Sequence, residues 1–218
     1  LLGVRYVQRA RELGRPDLVI LPGTKNTMED LLWLRQNGLE AAALKLAHAG
    51  TPILGVCGGY QMLGQTLDDP QGTESGRPMA LSGLGLLPTR TVFDAQKRRM
   101  QVRAAAQGEL FGGARLTGYE IHNGRTEVGG APFCVLEDGT PEGCVNRNVF
   151  GTYLHGLFDS GELTGALVRM LCARKGISPT QTQLMSMADY RQQQFDLLAD
   201  GVRQALDMGA VYRAINTA

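Results

Sequence analysis

Residues 52–65 read Pro52-Ile53-Leu54-Gly55-Val56-Cys57-Gly58-Gly59-Tyr60-Gln61-Met62-Leu63-Gly64-Gln65. The apolar run at the start of this segment is typical of a short buried strand, and the residues after the glycine pair favour a helix. Cys57 and the two glycines stand between strand and helix, where Gly permits a tight turn. The segment therefore predicts a strand, a sharp turn at Cys57 and a helix.

A second unit of the same kind precedes it along the chain. Residues 17–21 form a short apolar segment, Asp-Leu-Val-Ile-Leu, which ends at the turn-forming pair Pro22-Gly23. Apolar residues at helical spacing then predict two helices, at residues 28–35 and 39–48. Two strand–helix units in succession favour an α/β fold with a mostly parallel central sheet flanked by helices.

The second half of the chain has a different pattern. Residues 67–85 are rich in Gly, Pro, Asp and Ser and are predicted to form a surface loop. Three apolar or β-branched segments predict an antiparallel extension of the sheet, at residues 91–93, 101–104 and 116–122. A further strand is predicted at residues 149–154, directly before His155. The remaining apolar patterns predict helices at residues 161–175 and 187–208.

Composition excludes several classes of partner. The chain has 218 residues, enough for one α/β core, so we expect one domain over residues 1–218. Its 22 basic and 21 acidic residues give a net charge of +1, which argues against nucleic acid or an anionic membrane as a partner.

No stretch approaches the roughly 18 apolar residues that span a bilayer, and no signal-peptide pattern is present, so a cytoplasmic protein is predicted. Because the chain opens at Leu1 without an initiator Met, we expect it to be part of a longer chain.

Cysteine spacing points to chemistry rather than to a structural role. The four cysteines are Cys57, Cys134, Cys144 and Cys172. They lie too far apart for a zinc site and are too few for a disulfide scaffold, so no metal is expected. A turn between strand and helix would present Cys57 at the carboxyl edge of the sheet, where the helix N-terminus is expected to lower the pKa of its thiol. The alternative is that Cys57 is a small buried apolar residue.

A cysteine nucleophile needs a base, and the chain has three histidines. His155 follows the predicted strand at 149–154, so in an open α/β sheet it would lie at the same edge as Cys57, which makes it the predicted base. The alternative for His155 is a structural histidine at a strand end. His48 is predicted to end a helix at the surface, and His122 fits either a pocket or a turn.

Four motifs, in order along the chain, resemble one family. They are Leu-Pro-Gly-Thr-Lys-Asn-Thr at 21–27, Val-Cys-Gly-Gly-Tyr-Gln-Met-Leu-Gly at 56–64, Gly-Tyr-Glu-Ile-His-Asn-Gly-Arg-Thr at 118–126 and Gly-Thr-Tyr-Leu-His-Gly-Leu-Phe at 151–158. The turn at Cys57 is similar to that of the class I, or triad-type, glutamine amidotransferases, whose fold is flavodoxin-like. Together the motifs resemble the C-terminal glutaminase domain of the cobyric acid synthases.

The resemblance implies a glutaminase that works with a second domain. It implies hydrolysis of L-glutamine to glutamate and ammonia, and transfer of the ammonia to an N-terminal ATP-dependent synthetase domain of the same polypeptide. In the family that domain amidates peripheral carboxylates of the corrin adenosylcobyrinic a,c-diamide, so this chain would meet the corrin only indirectly. ATP and Mg²⁺ are expected only there, because the sequence here has no Gly-x-x-x-x-Gly-Lys-Ser/Thr phosphate-binding loop. No cofactor is expected in this domain.

The resemblance also assigns roles to residues. His155 would take the proton from Cys57, whose thiolate attacks the glutamine amide. The backbone amides of Gly58 and Gly23 would hold the oxyanion. Gln61 lies one helical turn after Cys57 and matches the position that contacts glutamine in related amidotransferases, although a helix-surface glutamine is the alternative.

One departure from the class concerns the third triad member. The typical pattern is His-x-Glu, but Leu157 stands two residues after His155. We therefore predict a Cys–His dyad, with Asp159 or Glu120 as weak candidates for orienting the imidazole, and lower activity of the isolated domain. The candidates for binding the α-groups of glutamine are Lys97, Arg98 and Arg99.

Other assignments remain open from the sequence. The small amidotransferase partner of the Mur-ligase-like protein that amidates lipid II has a very similar turn around its cysteine, and cobyrinic a,c-diamide synthase is a further relative. A third alternative is a non-catalytic regulatory or scaffolding domain with the same fold. The presence of a nucleophile, a base and a glycine turn together argues against this last alternative.

Overall fold

The structure of the chain is a computed structural model, which describes residues 2–108, 111–178 and 187–216. The helices are α1 (Ala10–Leu13), α2 (Thr27–Gln36), α3 (Leu39–His48), α4 (Gly58–Leu63), α5 (Gly161–Arg174), α6 (Met187–Ala205) and α7 (Met208–Asn216), with a 3₁₀ turn at Leu157–Asp159. The strands are β1 (Val19–Leu21), β2 (Ile53–Val56), β3 (Thr66–Asp69), β4 (Met79–Ser82), β5 (Thr89–Ala106), β6 (Arg115–Val128), β7 (Cys134–Leu136), β8 (Pro141–Glu142), β9 (Cys144–Asn146), β10 (Val149–Thr152) and β11 (Leu154–His155).

The first sheet has four strands in the order β1-β2-β10-β9. Strands β1, β2 and β10 are parallel, with Leu21 and Gly151 both opposite Gly55, and only β9 is antiparallel. The carboxyl ends of the three parallel strands therefore meet at one edge. This sheet confirms the two predicted strand–helix units, and helix α4, with all six residues buried, packs against it.

The second sheet is larger and mostly antiparallel. It has seven strands, with the path β11-β6-β5-β3-β4, with β7 paired to β5 and with β8 paired to β7. Its centre is the long pair β5 and β6, whose register is interrupted between Val92 and Lys97. The predicted segments at 91–93 and 101–104 are parts of the single strand β5. The antiparallel extension is thus confirmed, and it exceeds the parallel sheet in strand number.

Two sequence predictions were wrong. Residues 67–85 are not a surface loop throughout, because β3 and β4 pair within this segment and the side chain of Leu67 is fully buried. Residues 149–154 do not form one strand: β10 ends at Thr152, and the chain then enters the second sheet as β11. Buried Glu142 fixes this change of sheet, since its carboxylate accepts hydrogen bonds from the Thr152 hydroxyl and the Tyr153 amide, each at 2.6 Å.

The remaining helices agree with the sequence patterns. Helix α2 begins after Asn26, whose side chain accepts a hydrogen bond from the Glu29 amide. Gly38, in the left-handed conformation, separates α2 from α3. The predicted C-terminal helices correspond to α5 and α6, and the helix α7 was not predicted. Across the residues that the structure describes, no helix has the length and apolar character needed to cross a membrane.

Candidate active site

The turn at Cys57 has the geometry of a strained nucleophile turn. Cys57 has φ 53° and ψ −113°, which L-residues other than glycine rarely adopt, and it is one of two such non-glycine residues in the described chain. Its backbone amide donates a 2.8 Å hydrogen bond to the Thr152 carbonyl, which ties the turn to the end of β10. A Cβ atom at Gly59 would overlap the carbonyl oxygen of Leu21. The packing therefore requires glycine at position 59, two residues after Cys57.

His155 approaches Cys57 from the other sheet. A side chain at Gly23 would lie 3.0 Å from Cε1 of His155 and 3.4 Å from Cβ of Cys57, so both predicted catalytic residues border Gly23. The imidazole of His155 stacks on the ring of Tyr119, with centroids 5.2 Å apart and planes at 7°. The thiol of Cys57 donates a 3.4 Å hydrogen bond to the carbonyl of Ile121. The structure thus brings Cys57 and His155, the predicted nucleophile and base, to the same glycine between two sheets.

The titration of the two side chains favours a neutral pair. Burial raises the pKa of the Cys57 thiol, and the charge of Glu74 adds to this, while a hydrogen bond from the Gly58 backbone amide opposes it. The predicted lowering by the helix N-terminus was therefore wrong in its net direction, because desolvation of a side chain only 7% exposed outweighs a helix of six residues. Burial also lowers the pKa of His155, so its imidazole is neutral at pH 7 and can accept a proton.

The predicted oxyanion donors lie on both sides of the nucleophile. Gly58 directly follows Cys57, and its amide hydrogen faces the sulfur. Gly23 follows β1 at the carboxyl edge of the sheet and borders both Cys57 and His155. Their role in holding an oxyanion stays a prediction.

Gln61 is buried, with 4% of its surface exposed. Its side-chain oxygen accepts a hydrogen bond from the Thr27 hydroxyl at 3.0 Å. Its nitrogen donates to the Asn123 carbonyl and to the Tyr153 hydroxyl, both at 3.1 Å. Gln61 therefore connects α2 and β6 with Tyr153, the residue at which the chain passes from the first sheet to the second. Its contact with glutamine stays a prediction.

His122 belongs to the site region and lies in strand β6 rather than in a turn. Its ring stacks on Tyr153 with centroids 3.6 Å apart. Burial, together with the charges of Arg98 and His155, lowers its pKa to about 4. Its Nδ1 and the hydroxyl of Tyr60 are buried without a hydrogen-bond partner among the described residues, and both side chains line a cavity of about 520 Å³.

Neither weak candidate for a third triad member bonds to His155 within the described structure. Asp159 is half exposed and pairs with Arg191 at 3.3 Å. Glu120 is 2% exposed and pairs with Arg98 at 2.5 Å, and burial still raises its pKa. The ring of Tyr119, stacked on the imidazole, is the only aromatic contact of His155 that the described residues provide.

The other predicted basic residues lie on β5. Lys97 and Arg98 line the same cavity as His122. Arg99 is exposed and lies opposite Ile121 in the β5–β6 pair. Whether any of them binds the α-groups of glutamine stays a prediction. His48 ends α3 at the surface as predicted, and within the described residues no group of three potential ligand side chains could hold a metal ion.

Residues 2–163 match the family model of the CobB/CobQ-like glutamine amidotransferase domain. The chain belongs to this family. The amidotransferase domain is 44% identical over 99% of its length to the cobyric acid synthase of Streptococcus sanguinis, and 46% identical over 96% to that of Salmonella arizonae. It covers 44% and 43% of those two proteins, so it spans less than half the length of these relatives.

A solved glutamine amidotransferase has a similar fold. The alignment gives a TM-score of 0.56 at 17% identity and covers 81% of the amidotransferase domain and 88% of the solved chain. At this identity the similarity concerns the fold alone. The predicted α/β fold of the class I glutamine amidotransferases is thereby confirmed, and so is the prediction of an amidotransferase enzyme.

Proposed function

We propose that the chain hydrolyses L-glutamine to glutamate and ammonia, with Cys57 as nucleophile and His155 as base. The observation that carries the proposal is the position of Gly23, whose Cα hydrogen faces both catalytic side chains. A substrate carbonyl placed beside Gly23 would have the Cys57 sulfur, the His155 imidazole and the proposed oxyanion donors around its carbon atom. The strained backbone at Cys57 and the match to an amidotransferase family support the same assignment.

The reaction begins from a neutral thiol and a neutral imidazole. His155 takes the proton of Cys57 as the sulfur attacks the side-chain amide carbon of glutamine, and the amides of Gly23 and Gly58 stabilise the resulting oxyanion. Protonated His155 then gives the proton to the amide nitrogen, the C–N bond breaks, and ammonia leaves a thioester on Cys57. Water, deprotonated by His155, attacks this thioester, the C–S bond breaks, and glutamate is released with the thiol restored.

The ammonia is proposed to serve a second reaction. Relatives at 44% and 46% identity are cobyric acid synthases of about twice this length. We therefore propose that an ATP- and Mg²⁺-dependent synthetase domain uses the ammonia to amidate side-chain carboxylates of the corrin, from adenosylcobyrinic a,c-diamide to cobyric acid, in cobalamin biosynthesis. The cytoplasm is the proposed location.

Labelling with 6-diazo-5-oxo-L-norleucine, a glutamine analogue with an electrophilic carbon, tests the catalytic pair. Intact-mass spectrometry should find one covalent adduct on the wild-type chain. We expect none on Cys57→Ser, and labelling slowed by roughly 100-fold or more on His155→Ala, because the base no longer takes the thiol proton. Cys172→Ser, which removes a partly exposed thiol far along the sequence, should label like the wild type.

Two results would contradict the proposal. An adduct that persists on Cys57→Ser would mean that another nucleophile reacts. Equal labelling rates for His155→Ala and the wild type would mean that His155 is not the base.

A further inference from the structure

Tyr119 lies directly opposite His155 in the second sheet. Strand β11 pairs with β6 in antiparallel register, with His155 opposite Tyr119 and Leu154 opposite Glu120. Residues that lie opposite each other in such a pair point their side chains to the same face of the sheet. Gly118 allows the two strands to approach closely here, because a Cβ atom at this position would overlap the carbonyl oxygen of His155. The register of the two strands therefore determines which side chain lies against the imidazole.

The ring of Tyr119 lies parallel to the imidazole but adds little to the core. The two ring centroids are 5.2 Å apart and the planes differ by 7°. Leu154, the residue before His155, is fully buried, whereas Tyr119 is 44% exposed. Burial of apolar surface at Leu154 can hold strand β11 in place without an aromatic residue on the neighbouring strand. Packing of the fold therefore does not explain why position 119 carries an aromatic ring.

The imidazole of His155 lacks the support that a triad provides. In a triad, a carboxylate orients the imidazole and stabilises its protonated form. Among the described residues no carboxylate bonds to His155, since Asp159 and Glu120 pair with arginines instead. The face of an aromatic ring attracts a cation that lies within about 6 Å of the ring centroid. The imidazolium that forms when His155 takes the Cys57 proton would lie within this range.

We propose that Tyr119 is the positioning residue of the base, because its ring holds the imidazole of His155 in one plane and stabilises the imidazolium formed in the reaction. The inference rests on the proposed glutaminase function and adds a residue that acts through His155 without touching the substrate. The proton moves from the Cys57 sulfur to a ring nitrogen of His155, and the resulting positive charge lies against the Tyr119 ring. The phenol hydroxyl has no part in this step.

Other ionisable groups near His155 must be separated from the effect of the ring. They are Cys57 in the turn after β2, His122 in β6, and Asp159 with its partner Arg191. Burial lowers the pKa of His155 in the folded chain. A ring that stabilises the imidazolium opposes this lowering, so its loss should lower the pKa further, whereas greater contact with water would raise it. The sign of the change therefore distinguishes the two effects.

The test replaces the aromatic ring by an apolar side chain that still covers the imidazole. In Tyr119→Leu, an NMR titration should find the pKa of His155 lower by roughly half a unit than in the wild type. The maximum rate of labelling by 6-diazo-5-oxo-L-norleucine should fall by roughly 10-fold at an unchanged half-saturating concentration, because the base and not the binding of the substrate is affected. Tyr119→Phe keeps the ring and should restore the wild-type pKa, with a labelling rate within about threefold.

Two further variants assign the signals. His48→Gln and His122→Phe each remove one of the other two histidine signals, so the signal that remains in both spectra belongs to His155. Because Tyr119 is nearly half exposed, Tyr119→Leu should stay folded, which a thermal melt checks. Tyr119→Met removes the ring with a more flexible apolar side chain and serves if the leucine variant unfolds.

A matched control makes the same change elsewhere. Tyr212→Leu removes an exposed ring from α7 and should leave the His155 pKa and the labelling rate unchanged. An unchanged or raised pKa in Tyr119→Leu, an equal loss of rate in Tyr119→Phe, or a higher half-saturating concentration would each overturn the inference alone. No labelling of Cys57 in the wild type would instead contradict the proposed function, and the titration would still measure the effect of the ring on His155.

Discussion

The two halves of the candidate site come from different sheets. The parallel sheet supplies Cys57 and its neighbouring glycines at the carboxyl ends of β1 and β2. The antiparallel sheet supplies His155, the aromatic ring beneath it and the carbonyl that accepts the thiol hydrogen bond. The first half is built by residues close together in sequence. The second depends on a strand that pairs with β6, which precedes it by more than twenty-five residues.

This difference predicts different responses to mutation. The nucleophile turn is rigid because its backbone is packed directly against a neighbouring strand, so changes there should disturb the fold. His155, the proposed base, lies on β11, a two-residue strand at the edge of the second sheet. Because β11 pairs with β6 alone, we expect its backbone to adjust more readily than the packed turn, so changes there should affect the reaction more than the stability.

The largest expected contrast is between Gly59→Ala and Gly118→Ala. The added methyl group would overlap the Leu21 carbonyl oxygen in the first case and the His155 carbonyl oxygen in the second. We expect Gly59→Ala to lower the free energy of unfolding by about 3 kcal/mol or more, and Gly118→Ala by about 1–2 kcal/mol. Gly118→Ala should nevertheless slow diazo-oxo-norleucine labelling by roughly 100-fold, because a small displacement of the base is enough. Denaturant unfolding and labelling rates check both values.

Gly201→Ala is the control for the added methyl group. Gly201 lies in α6 and a Cβ there would meet nothing within 4 Å, so this change should stabilise the chain by about 0.5–1 kcal/mol. If Gly118→Ala lost more stability than Gly59→Ala, the proposed contrast between a rigid turn and a movable edge would be wrong.

A smaller effect is expected from the pH dependence of the antiparallel half. Burial holds the pKa of His122 at about 4 in the folded chain, below the ordinary value of 6.5. The unfolded chain therefore gains a proton at higher pH than the folded chain, and stability is lost as the pH falls from 6.5 towards 4. After allowance for partial exposure we expect a loss of about 2 kcal/mol. His122→Phe, which keeps a ring against Tyr153, should lose less.

Unfolding free energies at pH 7 and pH 4.5 measure this difference. His48→Gln removes an exposed histidine at the end of α3 and should retain the full wild-type pH dependence. If His122→Phe and the wild type lost equal free energy between these pH values, His122 would not be the neutral buried group described here.

The smallest effect is expected for Asp159→Asn. The Asp159 carboxylate is half exposed and pairs with Arg191 instead of His155, and exposed ion pairs contribute about 0–1 kcal/mol. We expect less than about a threefold change in labelling rate and a matching change for Arg191→Gln. A fall of tenfold or more in Asp159→Asn alone would show that Asp159 orients the imidazole and that the site is a triad.

The sequence predicted the parallel half well because its information is local. The strand, the cysteine turn and the following helix lie within residues 52–65, and the adjacent unit ends in Pro22-Gly23. His155 was also predicted as the partner of Cys57, although for a partly wrong reason. It does not end a strand of the parallel sheet, but reaches the same edge after the chain changes sheets at Tyr153.

Other features could not be read from the sequence because they depend on distant contacts. Buried Glu142 ends β10 through side-chain hydrogen bonds that no spacing reveals. His122 fitted both a pocket and a turn until its stacking on Tyr153 was known. Glu74 lay in a segment predicted to be a surface loop, and only the buried carboxylate of Asp69 explains its fixed position.

The sequence by itself determined the turn at Cys57 and the family, and it predicted His155 as the base, because each is expressed by residue types at short, fixed spacing. Tertiary structure alone decided which sheet carries His155 and the net direction of the Cys57 pKa shift. It also decided that the Glu74 carboxylate lies near the turn at Cys57. These properties depend on burial and on distances between segments far apart in the chain. Desolvation and charge act through space, so only the folded chain fixes their balance.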